Sequence, residues 1–199
     1  MTPMATAITA QSGWERVAQA VEEVRERLHR TAAVLDNAGI PYAVIGGNAV
    51  AEWVGRADSA AVRNTRDVDI LLRRSDFDRA KIAMQAAGFI YRHAASIDMF
   101  LDGPGAKARE AVHVLFAGEK VRPEYDVPSP DVSESEPAAG FQVISLEALL
   151  TLKLVSNHDK DRTHVRDMIE VGLIDSSWLT RVPPSLAPRL QSILDTPDG

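Results

Sequence analysis

The chain of 199 residues carries 22 Lys and Arg against 28 Asp and Glu, a formal net charge of −6, with 45% hydrophobic residues, 25% charged residues and no cysteine. These proportions suit a globular protein with one well-buried core and exclude a fibrous or largely disordered chain. The acidic balance argues against a surface that holds nucleic acid mainly through its phosphates, and the lack of cysteine excludes disulfides, thiolate metal sites and a thiol nucleophile.

The opening MTPMATAITAQSG has neither a basic start nor a sustained apolar run. No secretory leader and no membrane span are therefore expected, and the cytoplasm is the expected location. Residues 1–12 read as a flexible lead. Trp14, Val17, Val21, Val24, Leu28, Ala32 and Leu35 then recur at helical spacing, which predicts an amphipathic helix ending near Asn37, before Gly39 and Pro41. Next, YAVIGG predicts a short buried strand ending at Gly46, and NAVAEWVG a helix capped by Asn48 and closed by Gly55. RADSAAVRN reads as a loop, DVDILL as a second strand, and DFDRAKIAMQAAGF as a helix. GFIYRH, IDMFLDG and AVHVLFAG read as three further strands.

After Tyr125 the composition changes to DVPSPDVSESEPAAG, a stretch with little capacity to pack. It divides the expected core, residues 13–126, from a helical part at 141–199, with residues 127–140 as a linker. Helices are expected there at about 145–156, 160–171 and 185–194. The fold class is α/β (α+β): a mixed sheet flanked by helices, with an N-terminal helix and a C-terminal helical tail packed on the core. Trp14, Trp53 and Trp178 read as core or seam residues.

Asp67 and Asp69 are one residue apart in a strand, so both side chains point to one face with Cα atoms roughly 6.5 Å apart. Two carboxylates crowded on one face call for a compensating cation, and magnesium suits them because it completes its shell with water and phosphate oxygens. The plainer alternative is an acidic pair on a solvated strand face. Gly46 and Gly47 stand where a strand turns into a helix, a place where the backbone can approach an anion and present free N–H donors. Their plainer alternative is a tight turn. Neither alternative predicts the order of parts: strand, Gly-Gly, short helix, loop, Arg, Asp-x-Asp.

That order resembles the nucleotidyltransferase superfamily of the DNA polymerase β type. IGGNAVAEWVGR followed by TRDVDILL is similar to small bacterial members: AbiEii-type toxins, minimal nucleotidyltransferases and antibiotic adenylyltransferases. LLTLKLVSNHDKDRTHVRDM resembles the lysine-bearing helix and the Lys-Asp helix downstream in AbiEii-like chains. The resemblance implies that Gly46, Gly47 and Asn48 hold an NTP, that Asp67 and Asp69 bind Mg2+ or Mn2+, and that Arg66 and Lys153 neutralise phosphate charge. It further implies transfer of a nucleoside monophosphate to a hydroxyl on RNA, protein or a small molecule, with a toxin or antitoxin partner as one setting. A weakened enzyme that acts by binding nucleotide or a partner is the alternative.

Two departures stand out. Nineteen residues separate Gly47 from Asp67, more than is usual, and the excess falls in the RADSAAVRN loop. The strand expected to carry a third acid has His113 instead, which strand phase turns toward the aspartates, as a ligand or proton acceptor or as the remnant of a lost acid. Asp98, Asp102 and Glu110 are less well phased substitutes. Arg56, Arg63, Arg66 and Lys153 are candidates for a basic cleft around an RNA end.

Overall fold

The computed structural model describes residues 12–197, so the lead expected over residues 1–12 lies, apart from Ser12, outside the described residues. Ser12 caps α1 (Gly13–Asn37): its hydroxyl accepts from the Glu15 amide, and the Glu15 carboxylate accepts from the Ser12 amide. The helix buries Val24, Leu28, Ala32 and Leu35, from its middle onward, while residues 13–20 are exposed throughout. Trp14, expected in the core or a seam, is 85% exposed, because the helix begins well before the surface it packs on. Trp178 is buried, and half-buried Trp53 donates its indole N–H to the Ile144 carbonyl at 2.9 Å.

Among the described residues seven strands follow: β1 (Tyr42–Ile45), β2 (Val68–Leu72), β3 (Ile90–Ala94), β4 (Ile97–Leu101), β5 (Val112–Phe116), β6 (Ser135–Pro137) and β7 (Gln142–Ile144). They form one mixed sheet in the order β3-β4-β5-β2-β1-β7-β6. β1 runs antiparallel to β2 and parallel to β7, while β2 and β5 are parallel. Every residue of β1 is buried, as its apolar, β-branched composition requires of a central strand. Val68, Ile70 and Leu72 stand in register with Val112, Val114 and Phe116. This layer joins the core with Leu28 and Leu35 of α1 and with Phe77 and Met84 of α3 (Phe77–Ala86). Alternation then sends Asp69 and His113, which are also in register, to the opposite face.

Between β1 and β2 lie α2 (Gly46–Ala57) and a single 3-10 turn, Ser59–Ala61, inside the expected loop. The stretch 127–140 is more firmly packed than its composition suggests. Arg73 places two N–H groups on Asp131 at 3.0 and 2.6 Å, Ser129 is buried, and β6 pairs antiparallel with β7. β7 carries no sequence signal, since three residues are too few to show a period. The helices α4 (Leu146–Ser156), α5 (Asp159–Glu170) and α6 (Ala187–Leu194) complete the chain near the expected positions. α4 and α5 pack on each other and on α2, which brings the tail to the side of the sheet where β1 ends. No helix among the described residues is long and apolar enough to cross a membrane.

Candidate active site

Gly46 follows β1 directly and takes a φ of 67°. A Cβ there would lie 1.9 Å from Asp69 Oδ2, and one at Gly47 would lie 2.7 Å from Thr65 Oγ1. Gly46 is thus demanded by close approach to Asp69 and by its backbone angle, and Gly47 by close approach to Thr65 just before β2. α2 starts without a side-chain cap. Its first amides have no side-chain acceptor of their own, the condition under which a helix start attracts an anion. Asn48, expected as the cap, stands inside the first turn and donates its amide to the Asp67 carbonyl at 2.8 Å. It therefore fixes the backbone at the first aspartate.

Asp67, Asp69 and His113 converge, each half-buried, with one ligand atom apiece lying within 4.8 Å of the others. His113 Nδ1 is 3.3 Å from Asp69 Oδ1 and 3.9 Å from Asp67 Oδ2, and Nε2 is 3.0 Å from the Ala108 carbonyl. A carbonyl only accepts, so Nε2 carries hydrogen. In the neutral ring Nδ1 then presents its lone pair to the two carboxylates; in the protonated ring it donates to Asp69. The bond to Asp69 raises the His113 pKa, against burial, which lowers it. Thr65 donates its hydroxyl to Asp67 Oδ1 at 2.6 Å. Burial would push the Asp67 carboxyl up, but the Thr65 hydroxyl, Lys160 and His113 together hold it below the ordinary value.

The other acids considered for a third position are engaged elsewhere. Asp98 accepts from Tyr91 and bonds His93, Asp102 pairs with Arg27 and Arg30, and Glu110 pairs with Arg109. Among the described residues, the Asp67, Asp69 and His113 group is the one cluster with the makings of a metal site. Its chemistry fits a divalent cation: two carboxylate oxygens and an imidazole nitrogen whose other N–H is anchored to a backbone carbonyl.

A cleft opens beside this cluster, bounded by Gly46 and Asp69 below, Lys153 of α4, Asp161 of α5, and Tyr125 and Val127 from the segment after β5. Lys153 is buried, and its ammonium lies 3.0 Å from Asp161 Oδ1. Burial would raise the Asp161 pKa, but Lys153, the Ser156 hydroxyl and the His158 amide together hold the carboxyl below its ordinary value. His164, one turn further along α5, is pushed down to about 4 by burial and by Lys153 and Lys160. Lys160 and Asp161 were not singled out individually from sequence, although the Lys-Asp pattern of their helix was visible.

The anticipated basic cleft does not assemble. Arg56 is held by Glu52 and Glu136, Arg63 by Asp167, and Lys153 by Asp161. Arg66 does not line the cleft of Gly46 and Lys153; its exposed side chain lines a groove with Arg16, Arg27 and Arg109.

A family model described as "Uncharacterised nucleotidyltransferase" matches residues 3–134, well over half of the chain. The chain belongs to this nucleotidyltransferase family. The match takes in β1, α2, β2 and β5, and with them all three residues of the acidic cluster. Among solved structures, the fold is similar to ANT(2")-Ia in complex with adenylyl-2"-tobramycin, with a TM-score of 0.53 at 14% identity, over 88% of this chain and 98% of that one. It is also similar to an antigenic nucleotidyltransferase-like protein from Paracoccidioides brasiliensis, with a TM-score of 0.50 at 21% identity, over 87% of this chain and 93% of that one. No match to a curated protein was found. The nucleotidyltransferase fold accounts for the mixed sheet flanked by helices; β6 and β7 are the strands that sequence patterning missed.

Proposed function

We propose that the protein moves a nucleoside monophosphate from an NTP to an acceptor hydroxyl with the help of Mg2+ or Mn2+. The observation that carries this reading is the convergence of Asp67, Asp69 and His113 against Gly46. The ring tautomer strengthens it, since Nδ1 faces the carboxylates with its lone pair when His113 is neutral. A divalent cation bound there would neutralise triphosphate charge and polarise the α-phosphorus.

The chain's own residues supply the rest. Asp67 and Asp69 hold the cation, and Thr65 and Asn48 fix Asp67 through side chain and backbone. The start of α2 at Gly46 and Gly47 offers N–H donors to phosphate oxygens. Lys153 and Lys160 put positive charge beside the cleft. In the transfer, the acceptor oxygen bonds to the α-phosphorus, the bond from that phosphorus to the bridging oxygen breaks, pyrophosphate leaves, and the hydroxyl proton passes to solvent. Such chemistry relies on positioning and charge neutralisation more than on covalent help from the protein. One observation favours a second reading, a binding protein: an imidazole stands where a third carboxylate is expected.

Calorimetric titration of ATP, GTP, CTP and UTP, with and without Mg2+, tests the assignment. Metal-dependent binding of a nucleotide, lost in Asp67→Asn with the fold intact, is the expected result. Binding that ignores both the metal and the substitution would overturn it. Activity separates the two readings: release of pyrophosphate on addition of cell extract supports the enzyme, and metal-dependent binding without any release supports the binding protein.

A further inference from the structure

The apolar stripe of α1 runs on past the surface that the helix packs against. Trp14 and Val17 are exposed, yet they continue the spacing of Val21, Val24 and Leu28. At about 100° per residue, Trp14, Val21 and Arg25 fall within about 40° of one another around the helix, on the flank turned away from Arg16 and Arg27. A groove begins on that flank. It is lined by Val21, Val24 and Leu28 of α1, by Val62 from the loop before β2, and by Phe141 just before β7, with Arg25 and Asn64 adding polar atoms. A tryptophan suits such a lining, because its ring is apolar and its N–H needs an acceptor once buried.

Trp14 does not fill the groove of its own chain. Seven residues separate it from Val21, about 10 Å along the axis, and helical side chains lean toward the N-terminus, so Trp14 points away from the groove. One face of one helix therefore carries a projecting ring and, further along, a recess for such a ring. A second copy running antiparallel meets the two features in reverse order, which is the self-complementarity that a two-fold interface requires.

The charges select the same arrangement. Arg25 is exposed and makes no ion pair among the described residues. An antiparallel mate sets Glu15 of each copy opposite Arg25 of the other, whereas a parallel mate sets Glu15 against Glu15. Glu22 and Glu26, exposed beside the stripe, oppose an anionic lipid surface as the occupant.

We propose that this face of α1 binds a second copy of the chain, with the two helices antiparallel across a two-fold axis and Trp14 of each copy seated in the groove of the other. Each ring buries about 150–250 Å². One helix face and one groove per copy make an interface at the small end of specific contacts, so the dimer forms in the micromolar range.

Sedimentation equilibrium on the full chain, from low micromolar to several hundred micromolar protein, tests this. The wild type should pass from the mass of one chain to the mass of two. Trp14→Glu, at a position outside the core, should keep the protein monomeric throughout and leave its unfolding temperature unchanged. Arg25→Glu should raise the dissociation constant several-fold at low salt and less at high salt. Ile82→Glu, which alters an exposed apolar residue of α3 that does not line the groove, should dimerise as the wild type does. A wild type that stays monomeric overturns the proposal, and so does a dimer that survives Trp14→Glu. Growth beyond two chains overturns the two-fold pairing and points to head-to-tail contact, with each Trp14 entering the next copy unreciprocated.

Discussion

Gly46 and Asp69 touch so closely that no other residue fits at Gly46: an added Cβ would lie 1.9 Å from the Asp69 carboxylate oxygen. The glycine turn and the second aspartate are therefore one unit, and changing the first displaces the second. Gly46→Ala also forces a side chain onto a φ of 67°. The expected cost is about 1–3 kcal/mol of stability, from strain and overpacking together. Metal-dependent nucleotide binding should fall more than tenfold. Gly55→Ala is the matched control, because its Cβ would meet only the Val62 methyl, at 3.3 Å, within a helix that prefers alanine. Calorimetry on both variants decides the matter: equal nucleotide affinity would sever the link between Gly46 and the metal carboxylate.

With the proposed cation on Asp67, Asp69 and His113, the imidazole is expected to set which ion the site prefers. Carboxylate oxygens suit Mg2+, while an imidazole nitrogen draws the preference toward transition metals, Mn2+ among them. The wild type should therefore favour Mn2+ over Mg2+, and His113→Asp, which restores an all-oxygen set, should shift the ratio of affinities toward Mg2+ by about tenfold, an order-of-magnitude figure for one exchanged ligand. Titration of each ion into both proteins measures the ratio. An unchanged ratio would mean that His113 lies outside the coordination sphere.

What could be seen in the sequence was local or periodic. The glycine pair, Asp-x-Asp and the phase of His113 depend on spacing within single elements, and the structure places all of them at one end of the adjacent central strands β1, β2 and β5. Features set by tertiary contact could not be seen. β7 is a strand because β1 offers it an open parallel edge, not because three residues favour extension. Trp14 has the spacing of a core residue, but α1 outruns the surface it packs against. Arg66 sits in the expected motif, yet its side chain enters the α1 groove rather than the nucleotide cleft. Thr65 and Asn48 look like ordinary loop and cap residues until the fold brings both onto Asp67.

Lys153 on the leucine-rich α4 is secured by Asp161, and the two side chains are only 9% and 14% exposed. Removing one partner of such a pair leaves the other charged and shielded from water, at about 3–5 kcal/mol. Lys153→Met should therefore lower the urea midpoint strongly. Lys153→Met combined with Asp161→Leu should recover most of that loss, because an apolar pair of similar volume carries no desolvation cost. Nucleotide binding should stay weak in the double variant if Lys153 also serves the cleft. A double variant that recovers stability and binds nucleotide as the wild type does would confine Lys153 to a structural role.

His164 makes stability depend on pH in a window of its own. Its folded pKa is about 4 against 6.5 for the free side chain, lowered by burial first and then by Lys153 and Lys160. The unfolded chain thus takes up a proton that the folded chain refuses, so the contribution is complete above pH 6.5 and is lost as pH falls toward 4. At 1.36 kcal/mol per unit the loss is about 3 kcal/mol. Among the other shifted groups, Glu119, held below its ordinary 4.5 by Arg74, enters only at the acid end of this interval. The lowered carboxyls of Asp67 and Asp161 lose their contributions only below the ordinary value of 3.8, and raised His113 loses its own above 6.5. Urea unfolding at steps between pH 6.5 and 4.2 should show a steady decline in the wild type and a much flatter profile in His164→Leu. Parallel profiles in the two proteins would place the acid sensitivity elsewhere.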